Sequence, residues 1–241
     1  MTRRARGAAV KKKSKRYRKG AGMLAAGAAY PLAEAVKLLK GLPPAKFDEA
    51  VELSFSMGVD PKQTDQLVRG TVALPHGTGK KLRIAVFAKG GQADEAKAAG
   101  ADIVGHEDLI KKVSEGWAEF DMAVTTPDLM KEVGRLGKIL GPRGLMPSPK
   151  TGTVTRDVGK TIKELKAGRI EFRTDKGANI HVAIGRRSFA PGALEENARA
   201  VIDGHLKARP PSVKGAYFRK CVISSTMSPG VPVEMKEFMA V

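Results

Sequence analysis

The chain has 241 residues, and its 43 Lys and Arg residues outnumber its 25 Asp and Glu residues, which gives a net charge of +18 at pH 7. This length allows one large or two modest domains, and the positive charge predicts a polyanionic partner. No apolar run approaches the roughly 18 residues that span a bilayer, so no membrane association is expected. A single cysteine, Cys221, excludes an internal disulfide and favours a reducing, cytoplasmic location.

Residues 1–20 are predicted to form a basic N-terminal tail, because they contain ten Lys or Arg residues and no Asp or Glu. We expect this tail to be a solvated arm. Two roles stay open for it. One is contact with nucleic acid, since a run of positive charge releases counterions from phosphate. The other is simple solubilisation.

After the tail, a helix is predicted to begin next to Pro31 and to end at Gly41, residue types favoured at those positions. Residues 47–57 then alternate between apolar and polar side chains. This alternation predicts a strand with one buried face.

Strands and helices alternate in the middle of the chain. The predicted strands cover residues 82–88, 101–104 and 122–125, and the predicted helices cover residues 92–99, 107–113 and 128–133. Such alternation is typical of a parallel sheet with helices on both faces. We therefore predict a three-layer α/β, Rossmann-like domain over residues 70–159, with Gly70 and Gly159 as its hinge.

The last third of the chain supplies partners for the first strand. A helix is predicted over residues 158–167, a β-hairpin over 169–184 with a four-residue loop, a helix over 194–207 and a strand over 217–226. Isolated strands are unstable, so we predict one antiparallel sheet that joins the first strand, the hairpin and the last strand. Residues 21–69 and 160–241 would then form one discontinuous α+β base domain that carries the insertion.

Residues 137–154 interrupt this pattern with four glycines and three prolines. That density of helix breakers predicts a long, shaped loop without helix or strand. The apolar residues Ile139, Leu140, Leu145 and Met146 favour an ordered loop over a disordered one.

Catalytic and cofactor motifs are incomplete in this chain. Gly77-Thr-Gly79-Lys80 lacks the spacing of a phosphate-binding loop and precedes a predicted strand instead of following one, and Gly90-Gly91 lacks the dinucleotide spacing. The four histidines are scattered, with no pair at metal-ligand spacing. We therefore expect no enzyme, no metal, no cofactor and no small-molecule substrate. A nucleotide-dependent enzyme is the least favoured alternative.

A nucleic-acid site is predicted at the ends of the outer strands. Aromatic residues make up only 5% of the chain, which argues against a platform that stacks bases, so polar groups would contact sugars and phosphates. The candidates at or near these ends are Lys46, Phe47, Arg173, Asp175, Lys176, Lys214, Ser224, Thr226, Met227 and Ser228. Alternatives stay open for Phe47 as a residue partly in the core, Asp175 as a turn-shaping residue, and Lys176 and Lys214 as solvated lysines.

Several motifs along the chain carry a family resemblance. They are residues 58–61 (GVDP), 65–66 (DQ), 68–71 (VRGT), 74–77 (LPHG), 137–154, 168–173 (GRIEFR), 175–176 (DK) and 226–227 (TM). In this order, over residues 30–230, they closely resemble the bacterial large-subunit ribosomal protein L-one family. The resemblance implies a discontinuous base domain with an inserted α/β domain, as the residues also predict.

The resemblance further implies a function in the large subunit of the cytoplasmic ribosome. The family binds large-subunit rRNA through positions that match Phe47, Asp175, Thr226 and Met227, and it shapes the mobile stalk beside the tRNA exit site. It would aid release of deacylated exit-site tRNA and repress its own operon by binding the operon mRNA. The free protein would be a monomer.

Some features leave alternatives open. Ser228 stands where the family usually has Gly, and Leu67 and Ser148 stand where it usually has Asn. Within residues 137–154, Arg143 and Lys150 are candidates for a second RNA surface, whereas a structural role for this loop is the other interpretation. A non-specific, charge-driven nucleic-acid binder is the main functional alternative to rRNA recognition.

Overall fold

The computed structural model describes residues 13–25, 27–213 and 215–239. The predictions for residues 1–12 and for Lys214 lie outside these ranges. Among the helices in these ranges, none combines the length and apolarity that a bilayer crossing requires.

Helices and strands occur in nearly the predicted order. The α-helices within the described residues are α1 (Lys15–Gly22), α2 (Leu32–Gly41), α3 (Gly91–Ala98), α4 (Glu107–Ser114), α5 (Met130–Val133), α6 (Gly137–Leu140), α7 (Val158–Ala167), α8 (Pro191–Lys207) and α9 (Lys236–Met239). The strands there are β1 (Ala50–Met57), β2 (Arg69–Ala73), β3 (Ile84–Phe87), β4 (Ile103–Gly105), β5 (Met122–Thr125), β6 (Arg169–Arg173), β7 (Asn179–Arg186), β8 (Phe218–Ser225) and β9 (Val231–Val233).

An antiparallel sheet of order β7-β1-β8-β9 unites strands from both ends of the chain. The alternation in β1 buries Val51, Leu53, Phe55 and Met57, each at most 1% exposed, against the core that α2 and α8 cover. The predicted union of the first and last strands is therefore confirmed. Strand β9 was not predicted.

The predicted hairpin over residues 169–184 is wrong, although its turn forms. The amide of Asp175 donates to the carbonyl of Asn179 at 2.8 Å, but β6 pairs with β2 in a separate two-stranded ribbon while β7 pairs with β1. Thr174 explains the split, because its amide and hydroxyl both bond to the backbone of Val68. These bonds draw β6 towards a strand about a hundred residues away.

The central part of the chain is a three-layer unit. Its parallel sheet has the order β4-β3-β5, with α3 and α7 on one face. Helix α4 and the helical turns between residues 127 and 140 cover the other face. The predicted fold class, α+β elements combined with a three-layer α/β unit, is confirmed.

Residues 137–154 contain helical structure, contrary to prediction. Helix α6 continues the preceding helical turns, and residues Pro149–Thr151 form a 3-10 helix. The helix forms because Leu140, which is 0% exposed, completes the apolar face that begins at Leu129. It ends before Pro142, which disfavours helical backbone in the residue that precedes it.

The chain passes from β2 to the three-layer unit near Gly77 and returns from α7 to β6 at Gly168. These two glycines, which were not predicted as hinges, lie in contact. Gly77 and Gly168 both have positive φ, +64° and +108°, and a Cβ on Gly168 would lie 2.4 Å from Gly77 Cα. Gly70 instead lies within β2, where the ring of Phe172 would meet its Cβ at 2.6 Å, and Gly159 lies in the first turn of α7. The hinge role of Gly70 and Gly159 stays a prediction, while packing alone explains the glycine at 70.

Replacing Gly168 with alanine is expected to lower the free energy of unfolding by at least about 2 kcal/mol, from left-handed strain and the backbone collision. Urea unfolding measures this change. The matched control is Gly192→Ala in α8, where a Cβ meets open space and helix propensity should add about 0.5–1 kcal/mol. Equal stability of Gly168→Ala and the wild type would contradict this close approach.

The described part of the basic tail is not a solvated arm. Residues Lys15–Gly22 form α1, in which Gly20 is buried beside Pro43 and Pro229. Ser14 caps the helix by accepting from the Tyr17 amide at 3.2 Å. Composition predicted a solvated segment because it measures charge and not the packing of individual residues.

Candidate nucleic-acid interface

The open face of the antiparallel sheet carries polar side chains in register. In β1, alternation sends Glu52, Ser54 and Ser56 to the face opposite the core. Pairing with β7 and β8 then gives three rows across the strands: Asn179, Ser56 and Lys220; His181, Ser54 and Val222; Ala183, Glu52 and Ser224. No residue in these rows is buried, so this face is available to a partner.

One end of this face holds an exposed apolar pair. Phe47 is 55% exposed and Met227 is 51% exposed, next to the N-terminal end of β1. The core location considered for Phe47 is therefore wrong. Thr226 fixes the adjoining turn, because its hydroxyl accepts from the Ala50 amide at 3.0 Å and its amide donates to the Ala50 carbonyl at 3.0 Å.

Ser228 closes the same turn without backbone strain. Its hydroxyl accepts from the Ser225 amide at 2.9 Å and donates to the Pro229 carbonyl at 2.9 Å. Its φ is not positive. Serine at this position therefore adds local hydrogen bonds to the turn.

The opposite end of the face holds the turn between β6 and β7. The Asp175 carboxylate accepts from the amides of Asn179 at 2.7 Å and Gly177 at 2.8 Å. These hydrogen bonds hold the pKa of Asp175 below its ordinary value, and the bond from the Asn179 amide has the largest effect. Asp175 thus shapes its turn, while the neighbouring Arg173 and Lys176 are exposed.

The structure separates the predicted candidates into two groups. Ala50 borders Thr226, whereas Ser56, six residues along β1, pairs with Asn179 beside the Asp175 turn. At about 3.4 Å per residue the two ends lie about 20 Å apart. Side chains on the face connect them: His181 Nε2 lies 4.0 Å from Asp175 Oδ2, and its Nδ1 lies 3.0 Å from Ser54 Oγ.

Sequence reasoning did not predict Ser54, Ser56 or His181 as site residues, although Ser224 on the same face was a candidate. Alternation in β1 marked Ser54 and Ser56 as facing away from the core, but it could not supply their neighbours across the strands. The pairing of Ser54 with His181 depends on a register between segments 127 residues apart.

Sequence reasoning also missed Glu49, which lies directly beneath the Phe47 and Met227 end. Its side chain is 1% exposed and forms an ion pair with Arg187 at 2.9 Å. It also accepts from the Met227 amide at 3.2 Å. The alternation of β1 places position 49 on the same face as the buried Val51 and Leu53, so it could have marked this glutamate as buried and Asp48 as exposed.

The segment 137–154 packs against the ribbon formed by β2 and β6. Arg169 of β6 donates to the Thr151 carbonyl at 3.1 Å and pairs with Glu164 at 2.8 Å. A Cβ on Gly152 would lie 2.5 Å from the Arg169 guanidinium, so glycine there permits the contact. Arg143 is exposed and Lys150 lies in the 3-10 helix; their role as a second RNA surface stays a prediction.

The geometry offers little for catalysis. Among the described residues, no group of His, Cys, Asp and Glu is arranged to hold a metal ion. Burial raises the pKa of the Cys221 thiol to about 12, which keeps it protonated at neutral pH and makes it a poor nucleophile.

Comparison with known proteins agrees with the order of motifs in the chain. A profile described as the ribosomal protein L1p/L10e family matches residues 38–229. The protein named large ribosomal subunit protein uL1 from Protochlamydia amoebophila is 54% identical over 224 residues, covering 93% of this chain and 95% of the relative. The protein of the same name from Bifidobacterium longum is 55% identical over 223 residues, covering 92% and 97%.

These matches define a structural protein of the large ribosomal subunit and not an enzyme. The chain belongs to the ribosomal protein L1p/L10e family. The predicted ribosomal location in the cytoplasm is thereby confirmed through its relatives.

Proposed function

We propose that this protein binds large-subunit rRNA along the open face of its antiparallel sheet. The observation that carries the proposal is the polar strip from the Asp175 turn to the Thr226 turn, which ends in the exposed Phe47 and Met227. Hydroxyls can contact ribose 2′-OH groups and lysines can contact phosphates. An apolar side chain at the end can pack on a sugar.

Residues 77–168 are proposed to form the inserted domain, which the sheet holds at a distance from the bound RNA. The contact of Gly77 with Gly168 and the ribbon of β2 and β6 support these boundaries, which lie within ten residues of those predicted from the sequence. In this arrangement the RNA and the base domain form a stalk, and the inserted domain reaches towards exit-site tRNA. Release of deacylated tRNA is part of the same proposal, as is repression of its own operon.

Repression requires no additional site. An operon mRNA that imitates the folded rRNA would occupy the same sheet face and thereby block initiation. Feedback works only if the protein binds rRNA more tightly than mRNA, because it then occupies the available rRNA before it binds the mRNA. Equal or reversed affinities at matched salt would contradict this scheme.

A direct test needs a defined RNA probe. Crosslinking of the wild-type chain to large-subunit rRNA, followed by mapping of the contacts, identifies the rRNA fragment to use. We expect the mapped, folded fragment to bind at least about a hundredfold more tightly than an unrelated RNA of equal length, with a strong salt dependence. The alternative function, a charge-driven binder, predicts equal affinity for both RNAs at every salt concentration. That result would refute the proposed rRNA recognition.

A further inference from the structure

We propose that Glu49 is a positioning residue, which holds the N-terminal helix and the 226–228 turn together as one RNA-binding surface. The inference rests on the proposed rRNA-binding function. It assigns a role in RNA recognition to a carboxylate that is itself buried.

Arg187 fixes one oxygen of the Glu49 carboxylate. A buried charge is tolerated only when it is paired and hydrogen-bonded, and Arg187 provides both through its 2.9 Å ion pair with Glu49 Oε2. The same guanidinium donates to the carbonyls of Lys40 and Leu42 at the end of α2. The amide of Arg187 also donates to the Glu49 carbonyl at 2.8 Å.

The second carboxylate oxygen is directed towards the proposed RNA surface. Glu49 Oε1 accepts from the Met227 amide at 3.2 Å and lies 3.7 Å from Arg16 Nη1. Arg16 in turn donates from Nη2 to the Met227 carbonyl at 3.2 Å. The backbone of Met227 is therefore held on both sides, by Glu49 and by Arg16, while its side chain stays exposed.

Arg16 and Arg18 serve different purposes on α1. Arg16 points inward and its side chain is 26% exposed, so its charge serves to dock the helix. Arg18, with Lys15 and Lys19, is exposed on the same helix. Docking by Arg16 brings α1 next to the turn, and a groove of about 420 Å³ between them is lined by Lys13, Tyr17, Thr226 and Met227 among other residues.

This arrangement is more than a device for stability. An apolar pair would fill a buried site as well as an ion pair does, yet only a carboxylate can attract Arg16 and accept from the Met227 amide at once. Loss of Glu49 should therefore disorder the turn and release α1 while the sheet stays paired.

Arg16→Gln and Arg18→Gln provide a matched comparison, because each removes one positive charge from α1. With the mapped rRNA fragment as the probe, we expect Arg16→Gln to weaken binding about tenfold and to lower the slope of log affinity against log salt by more than one, because release of α1 removes all of its exposed basic side chains from the RNA surface. Arg18→Gln should weaken it no more than about threefold and lower the slope of log affinity against log salt by about one, as for loss of a phosphate contact. Identical losses and slopes for both variants would overturn the proposal.

Hydrogen exchange of Glu49→Leu, which removes both carboxylate oxygens, gives a second measurement. We expect the Met227 amide to exchange at least about tenfold faster while the Phe55 amide in β1 stays protected, because the pairing of β1 with its neighbours does not involve the Glu49 side chain. If this variant does not fold, the Arg16→Gln comparison decides alone. A wild-type chain without preference for the mapped fragment refutes the rRNA function, whereas a selective wild type with equal arginine variants refutes only the role of Glu49.

Discussion

Replacing Met227 with alanine is expected to weaken binding to the mapped rRNA fragment about tenfold, and adding Phe47→Ala should weaken it about a hundredfold in total. Both side chains are about half exposed in the free protein. Covering about 50–100 Å² of each on RNA binding would contribute about 1–2 kcal/mol per side chain. Affinity measured at two salt concentrations should show the same loss at both, because no charge is removed.

Met23 offers a close control for this experiment. It is 51% exposed, as Met227 is, but it lies at the C-terminal end of α1 and does not line the groove between α1 and the 226–228 turn. Met23→Ala should change RNA affinity less than about twofold, and thermal unfolding should be nearly unchanged in both variants, since surface substitutions usually cost little stability. Equal losses of RNA affinity for the Met23 and Met227 variants would place the RNA elsewhere.

Acid is expected to destabilise this protein through His205. The imidazole is 0% exposed and stacks on the ring of Phe172, with centroids 4.0 Å apart. One ring nitrogen, Nδ1, lies 2.7 Å from the Val201 carbonyl, and the other is buried without a hydrogen-bond partner. Burial lowers the pKa of His205 from 6.5 to about 4.

The direction of the pH effect follows from this lowered pKa. The unfolded chain takes up a proton below about pH 6.5 and the folded chain only below about pH 4, so stability is complete above pH 6.5 and falls as the pH drops between these values. The full difference corresponds to about 3 kcal/mol in the free energy of unfolding. Urea unfolding from pH 7 to pH 4 measures it.

A variant without the titrating group isolates this contribution from that of the carboxylates. His205→Leu should lose about 3 kcal/mol less than the wild type between pH 7 and pH 4. Parallel curves for His205→Leu and the wild type would contradict the assignment.

Local patterns in the sequence determined most of the elements. The strict alternation in β1 identified its buried face, because only one side of a half-covered sheet faces the core. The alternation of strands and helices identified the three-layer unit, since parallel strands need long crossovers. Predictions failed where burial outweighed helix propensity. In α6, Gly137 disfavours a helix, but burial of Leu140 stabilises it.

The candidate site was only partly accessible to the same reasoning. Strand-end residues such as Thr226 and Asp175 were identified, and the structure adds that they lie at opposite ends of one face. The two ends become one surface only through side chains such as Ser54 and His181. Their neighbourhood is set by strand register, which no local pattern contains.

The sequence by itself determined the charge, the fold class and the family, because these depend on composition, periodicity and the order of motifs. Only the tertiary structure decided that β6 leaves its hairpin for β2, that Gly77 meets Gly168, and that Glu49 is buried between Arg187 and the Met227 amide. Each of these contacts joins segments about ninety or more residues apart. Such contacts form when the whole core closes, so their energies depend on partners that the local sequence does not specify.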